Sequence, residues 1–224
     1  MINAQHAAQS TEVTVQAGKV KLDGNLTLPD NPKGVVAFAH GSGSSRFSSR
    51  NRYVASVLNE GGLATLLFDL LTADENEIDV QTAELRFDIK LLSERMVATL
   101  DWMSTQAVIA DLPIGLFGAS TGAAAALNAA AACPHRVAAV VSRGGRPDMA
   151  MDALPRVKAP TLLIVGGLDL AVIEMNRTAH NALEAPCRME IVDGATHLFE
   201  EPGTLEQVAV LARDWFLQYF HGPI

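Results

Sequence analysis

Cysteine is nearly absent. Cys133 and Cys187 are the only two in 224 residues, too few for a disulfide framework in a chain of this length, so both read as space-filling thiols. Positive charge is also scarce, with 17 Lys and Arg against 25 Asp and Glu and a formal net charge of −8. An acidic chain without a basic run is a poor binder of nucleic acid or of an anionic membrane surface. No uninterrupted apolar run reaches the ~18 residues that would suggest a membrane-spanning helix. Met1 to Ser10 is polar and lacks the basic start and apolar centre of a secretory leader. The expectation is a flexible segment over 1–10 on a cytoplasmic protein. No pair of His or Cys has metal-ligand spacing, so a metal site is not expected.

What the chain does have is core-forming material. Apolar residues make up 49%, which excludes intrinsic disorder and allows a large core. The length suits one good-sized domain or at most two small ones, and the expectation is one domain over 1–224, as a monomer or homodimer. Val13 and Val15 alternate as in a strand. Val20, Leu22, Leu26 and Leu28 flank Asp23-Gly24, a pair that signals a hairpin turn. Val35–Ala39 and Leu63–Phe68 are continuous apolar runs, read as strands buried on both faces. Between them Arg50–Glu60 has helical spacing and stops at Gly61-Gly62. The acidic stretch Leu71–Thr82 has no period and reads as a loop.

From Leu85 to Met103 apolar residues recur every three or four positions, the face of a long helix. Ile114–Phe117 reads as a strand and alanine-rich Thr121–Ala132 as a helix limited by Pro134. Strands are expected at Val137–Val141, Thr161–Val165 and Met189–Val192. Helices are expected at Ile173–Leu183 and on the face Leu205, Val208, Ala212, Trp215 and Tyr219. A hairpin followed by alternating strands and helices makes an α/β fold. We expect a mostly parallel sheet of about eight strands, an antiparallel N-terminal hairpin, helices on both faces and no large cap domain. Ligands in such sheets bind at the carboxyl ends of strands, so the residues that follow each strand carry the functional information.

Gly118-Ala119-Ser120-Thr121-Gly122 matches G-x-S-x-G, with a strand before it and a helix after it, as that motif requires. Small residues two before and two after the serine let the backbone turn sharply and lift the hydroxyl clear of the sheet. The alternative is a glycine turn with an incidental serine. A serine hydroxyl needs a base. His6 and His221 lie in the termini, His135 in a turn, His180 in a helix, and His40 begins a glycine-rich loop. His197 remains, in the loop Gly194–His197 between the last strand and the last helix. Asp169, ending Gly166-Gly167-Leu168-Asp169, is the candidate acid that fixes the imidazole tautomer. Asp193 is the second candidate and Glu174 a third. The order Ser120, Asp169, His197 is that of the α/β-hydrolases. Thr121 N–H and a donor from His40–Ser45 would hold the oxyanion, with Ser42 preferred and Gly43 next to it.

With these loops placed, the chain resembles the dienelactone hydrolase branch of the α/β-hydrolase superfamily. The resemblance rests on His40–Ser45, Gly118–Gly122, Gly166–Asp169 and Gly194–His197 and extends over nearly the whole chain. It implies a compact single domain without a cofactor, a serine hydrolase of small carboxylic esters, broad in specificity, with Ser120, Asp169 and His197 in the triad roles. Dienelactone hydrolase itself uses a cysteine nucleophile, and serine stands at 120. A lactonase or a thioesterase on the same triad is the alternative.

For substrate contacts, Gly43, Arg143, Leu198 and Phe199 are the candidates, with Phe47 as a further apolar wall. Arg46, Arg50 and Arg86 read better as surface charge or as salt-bridge partners of the acidic segment. Two other classes compete. A dinucleotide-binding oxidoreductase would use Gly41-Ser42-Gly43, but its third glycine is Arg46 here. A non-catalytic binding protein of the same fold would bind ligand without turnover.

Overall fold

The computed structural model describes residues 8–220. Most of the 1–10 segment, with His6, and His221 at the other end lie outside the described residues. Gln9 and Ser10 already belong to a strand. The element order is β1 Gln9–Ala17, β2 Val20–Leu28, β3 Val35–Ala39, α1 Ser49–Glu60, β4 Ala64–Phe68, α2 Ala73–Thr82 and α3 Ile89–Met103. Then follow β5 Ile114–Ala119, α4 Thr121–Ala132, β6 Val137–Arg143, β7 Thr161–Gly166, α5 Leu170–Ala182, β8 Cys187–Val192 and α6 Thr204–Tyr219. Short 3-10 segments at Leu85–Phe87 and Pro147–Arg156 complete the set.

The eight strands form one sheet in the order β1-β2-β4-β3-β5-β6-β7-β8. β1 and β2 pair antiparallel, β2 meets β4 antiparallel, and the rest is parallel. This is the α/β-hydrolase-like architecture expected from the alternation. One face packs on α3 and α4 through Leu92, Met96, Leu100 and the alanines of α4. The other packs on α1 and α6 through Val54, Leu58, Val208, Trp215 and Phe216. α4 lies close to the sheet, with Ala123–Ala126 and Leu127 fully buried. Cys133 and Cys187 are free, and both pack against the core.

Two expectations are corrected. The hairpin turns at Gly18-Lys19, where Ala17 pairs with Val20, and Asp23-Gly24 lies inside β2. Gly18 has φ +61° and supplies the left-handed residue a tight hairpin needs. Gly24 serves close approach instead, since a Cβ there would lie 3.1 Å from Phe68 Cβ. The acidic stretch is a helix, α2, with a capping box. Thr72 Oγ1 accepts from Glu75 N–H and Glu75 Oε2 accepts from Thr72 N–H. Its one buried residue is Asp79, a carboxylate, so it has no apolar stripe for a sequence reading to find.

α4 approaches β3 closely at Gly122. A Cβ there would lie 2.5 Å from His40 O and closer still to Ala39 O. Both are backbone atoms and cannot swing aside. Gly122→Ala is therefore expected to destabilise the fold by ~3 kcal/mol or more. Urea unfolding followed by far-UV circular dichroism should show a clearly lowered midpoint; an unchanged midpoint would contradict this packing.

Candidate active site

Ser120 sits between β5 and α4 with φ +51° and ψ −122°. Such a backbone costs about 1–3 kcal/mol for a residue with a Cβ and persists only where its surroundings impose it. They do so here. Ser120 N–H donates to Arg143 O at 3.2 Å, and Ser120 O accepts from Arg146 N–H at 3.0 Å. Gly118 and Gly122 leave no side chain where α4 passes the strand ends. The result is a half-buried serine at the carboxyl edge of the sheet.

His197 Nδ1–H donates to Asp169 Oδ2 at 2.6 Å. Asp169 stands at the N-cap of α5, a position where an Asp usually caps its own helix. Here it makes no cap bond, so its carboxylate is left to the histidine. The two loops are stitched together, with Leu168 N–H donating to Ala195 O at 2.9 Å. Glu201 braces the histidine loop from below, accepting from Thr196 N–H at 3.1 Å and Thr196 Oγ1 at 2.6 Å. The Thr196 hydroxyl and amide hold the Glu201 carboxyl below its ordinary pKa. Asp193, the second candidate acid, is exposed, and Glu174 is tied to Arg177 within α5.

Gly144, next to the Arg143 carbonyl that accepts from Ser120 N–H, comes close to the histidine: a Cβ on it would be 3.6 Å from His197 Cε1. Among the described hydrogen bonds none joins Ser120 Oγ to His197. Such bonds are often long in ligand-free enzymes and tighten around substrate.

The glycine loop after β3 comes against the serine. A Cβ on Gly41 would lie 3.2 Å from Ser120 Cβ. Ser42 N–H, on this loop, and Thr121 N–H, at the start of α4, have no acceptor among the described residues. His40 anchors the loop: its Nδ1–H donates to Gly41 O at 3.0 Å and its Nε2 accepts from Leu70 N–H at 3.0 Å. Burial holds the His40 pKa below its ordinary value, which keeps the ring neutral for this double role. The loop runs on to Ser48 before α1 begins, so it does not open a helix as a dinucleotide fingerprint does.

A cavity of about 310 Å³ opens behind this loop. Its walls include Ser42, Gly43, Phe47, Leu71, Asn76 and Arg86. Leu71, Thr72, Ala73, Asn76 and Asp79 of this wall come from the acidic segment that carries α2. Phe47, 59% exposed, lines this cavity. Leu198 is on the surface beside His197. Phe199 is not a pocket wall: it is 1% exposed, has φ +55° and belongs to the core under α1 and α6. Arg143 is also buried and does not line the cavity. Of the other arginines, Arg46 pairs with Asp69 and Arg50 with Glu200.

Arg86 wraps Asp79 through Nε, its backbone N–H and Nη2. This leaves Nη1 3.2 Å from where a Gly43 Cβ would be. Asp79 is 1% exposed. Burial alone would raise its pKa, but the Arg86 hydrogen bonds and charge outweigh it and hold the carboxyl below the ordinary range. The folded state therefore binds this proton more weakly than the unfolded chain does. The stability so gained is present above about pH 4 and is lost as pH falls through the lowered folded pKa. Urea midpoints should fall less between pH 5 and pH 3 in Asp79→Asn than in wild type. Equal falls would show that Asp79 is not a source of the acid sensitivity.

Against this geometry, the model of the dienelactone hydrolase family matches residues 22–219. The chain belongs to the dienelactone hydrolase family. A dienelactone hydrolase from Anabaena variabilis is 58% identical, with a TM-score of 0.95, covering 96% of this chain and 100% of that one. Est1E from Butyrivibrio proteoclasticus, at 17% identity, shares the fold with a TM-score of 0.78, over 93% of this chain and 98% of its own. A Mycobacterium tuberculosis protein that carries the name of a phosphoribosyl transferase is 58% identical over 212 residues, 95% of this chain. Those residues are only 47% of that protein, so this dienelactone hydrolase family chain spans about half the length of the curated relatives it matches. Among the described residues, no helix is long and apolar enough to cross a membrane.

Proposed function

We propose that the chain hydrolyses small carboxylic esters, with broad specificity, through an acyl-enzyme formed on Ser120. The observation that carries this reading is the 2.6 Å bond from His197 Nδ1 to Asp169 Oδ2, on loops at the same carboxyl edge of the sheet as the strained Ser120. In this mechanism His197 Nε2 takes the Ser120 proton as Oγ attacks the ester carbonyl. Asp169 fixes the tautomer and stabilises the imidazolium that forms. The Thr121 and Ser42 amides receive the negative charge that develops on oxygen, where one such donor contributes roughly 3 kcal/mol to the transition state. His197 then protonates the leaving alkoxide. Water, deprotonated by His197, attacks the acyl-serine, and the carboxylic acid leaves.

A lactone is the second reading, favoured by the name of the Anabaena protein at 58% identity. Ring opening needs the same groups and differs only in that the leaving alkoxide stays attached to the acyl part. The expected substrate in either case is a small molecule held in the cavity beside Ser42 and Gly43.

A fluorophosphonate probe tests the nucleophile directly. It should label one serine, and digestion with mass spectrometry should find the adduct on the peptide that contains Ser120. A label on another serine would overturn the assignment. Turnover of short-chain p-nitrophenyl esters tests the ester reading.

A further inference from the structure

Ser120 is gripped through its backbone by one short segment, residues 143–146, at the end of β6. Ser120 N–H donates to Arg143 O at 3.2 Å, and Ser120 O accepts from Arg146 N–H at 3.0 Å. The same segment meets the base. A Cβ on Gly144 would lie 3.2 Å from His197 O and 3.6 Å from His197 Cε1. Whatever fixes residues 143–146 therefore fixes where the serine stands relative to the histidine.

Gly144 and Gly145 give this segment little stiffness of its own, since neither has a Cβ. Its shape is set by its neighbours. Gly144 N–H donates to Ile164 O of β7 at 2.8 Å. Gly145 fills a slot between β6 and α4, where a Cβ would overlap Ser142 Oγ and lie 2.6 Å from Ala123 Cβ. Gly145 O accepts from Asn176 Nδ2 at 3.0 Å. Asn176 is a fully buried residue of α5, and its Nδ2 also donates to Val172 O at 2.8 Å within that helix. The amide is thus fixed to its own helix by one hydrogen and holds the serine-bearing segment with the other.

Two further features single out Asn176. α5 begins directly after Asp169, and Ile173 N–H donates to Asp169 O at 3.0 Å. Asn176 comes about two turns later and lies on the same face of the helix as the acid. Asn176 Oδ1, moreover, is buried without a hydrogen-bond partner among the described residues, and such an acceptor lowers stability. An aliphatic residue would avoid that cost. What it could not supply is the donor to Gly145 O.

We propose that Asn176 is a positioning residue for ester hydrolysis. By holding Gly145 O it locks residues 143–146 in the shape that sets Ser120 against His197, and it ties that shape to the helix that starts at Asp169. It acts through the backbone, not on the substrate. This role rests on the reading of Ser120 as the nucleophile.

Asn176→Leu removes the donor and keeps a branched side chain. Asn176→Ala removes it without added bulk, for the case that leucine does not fit. Thr161→Val is the matched control: it deletes another buried side-chain bond to backbone, Thr161 Oγ1 to Ala159 O at 3.0 Å, at the amino end of β7 and away from the site. A fluorophosphonate counts the competent sites by its end point and reports each site by its rate. In both Asn176 variants, Ser120 should label to completion but at least about tenfold more slowly than in wild type, because small displacements of reacting groups cost rate steeply. The kcat/KM for p-nitrophenyl butyrate should fall by a similar factor. Thr161→Val should lower the thermal midpoint and keep the wild-type rate per site.

Lost stability alone changes the number of competent sites, not the rate of each. Fewer sites labelling at the wild-type rate would show that Asn176 supports only the fold and would overturn the proposal. Failure of both variants to fold would do the same, as would an equal loss of rate per site in Thr161→Val. Wild-type rates in the folded Asn176 variants remove the positioning role and leave the hydrolase reading standing. A wild type that neither labels at Ser120 nor turns over the ester removes both.

Discussion

Ser120→Ala is expected to lower kcat/KM for p-nitrophenyl butyrate by roughly 10³- to 10⁶-fold. The range follows from what removal of a triad serine does elsewhere: the nucleophilic route is lost, and only oxyanion stabilisation and binding remain. The fold should be unaffected. The strained φ of +51° is imposed by the hydrogen bonds of Ser120 N–H and O, which alanine keeps. Thermal unfolding should therefore match wild type within a few degrees while turnover collapses. His197→Ala should cost a similar factor, and the double variant little more than either alone, because serine and base act as one unit. Near-wild-type turnover in folded Ser120→Ala would remove the acyl-enzyme proposal at its root.

Asp169→Asn is expected to be the next most damaging change, with a loss of about 10⁴-fold in kcat. The side chain keeps its size, so the loops around it should hold. What changes is the group facing His197 Nδ1. A carboxylate can only accept, which places the proton on Nδ1 and leaves Nε2 free to act as base. An amide can present N–H instead and stabilise the opposite tautomer. Asp193→Asn is the matched control. Asp193 is exposed, and the bond to His197 comes from Asp169. Steady-state rates of the two variants decide between them: a larger loss in Asp193→Asn would mean the acid has been misassigned.

Much of this site is legible in the sequence. The G-x-S-x-G turn, the glycine loop after β3 and the loops that hold Asp169 and His197 depend on short-range features. Small residues, strand ends and helix starts lie within a few positions of each other. The failures have a common cause. Asp23-Gly24 has turn chemistry, but the pairing of Ala17 with Val20 puts the turn at Gly18-Lys19. α2 has no apolar stripe, because the residue it buries is Asp79, made tolerable only by Arg86 seven positions on. Phe199 looked like a loop residue on a pocket rim, yet the turn at φ +55° drives its ring into the core.

The sequence by itself therefore determined the alternating strand and helix order, and with it the sheet and the carboxyl edge where the serine, acid and histidine loops converge. Local backbone preference and hydrophobic period carry that information. Only the tertiary structure decided which carboxylate meets His197, where the cavity opens, and which buried donor reaches Gly145 O. Those outcomes depend on which strands and loops become neighbours, and on what each charge finds opposite it once water is removed. No run of adjacent residues encodes that.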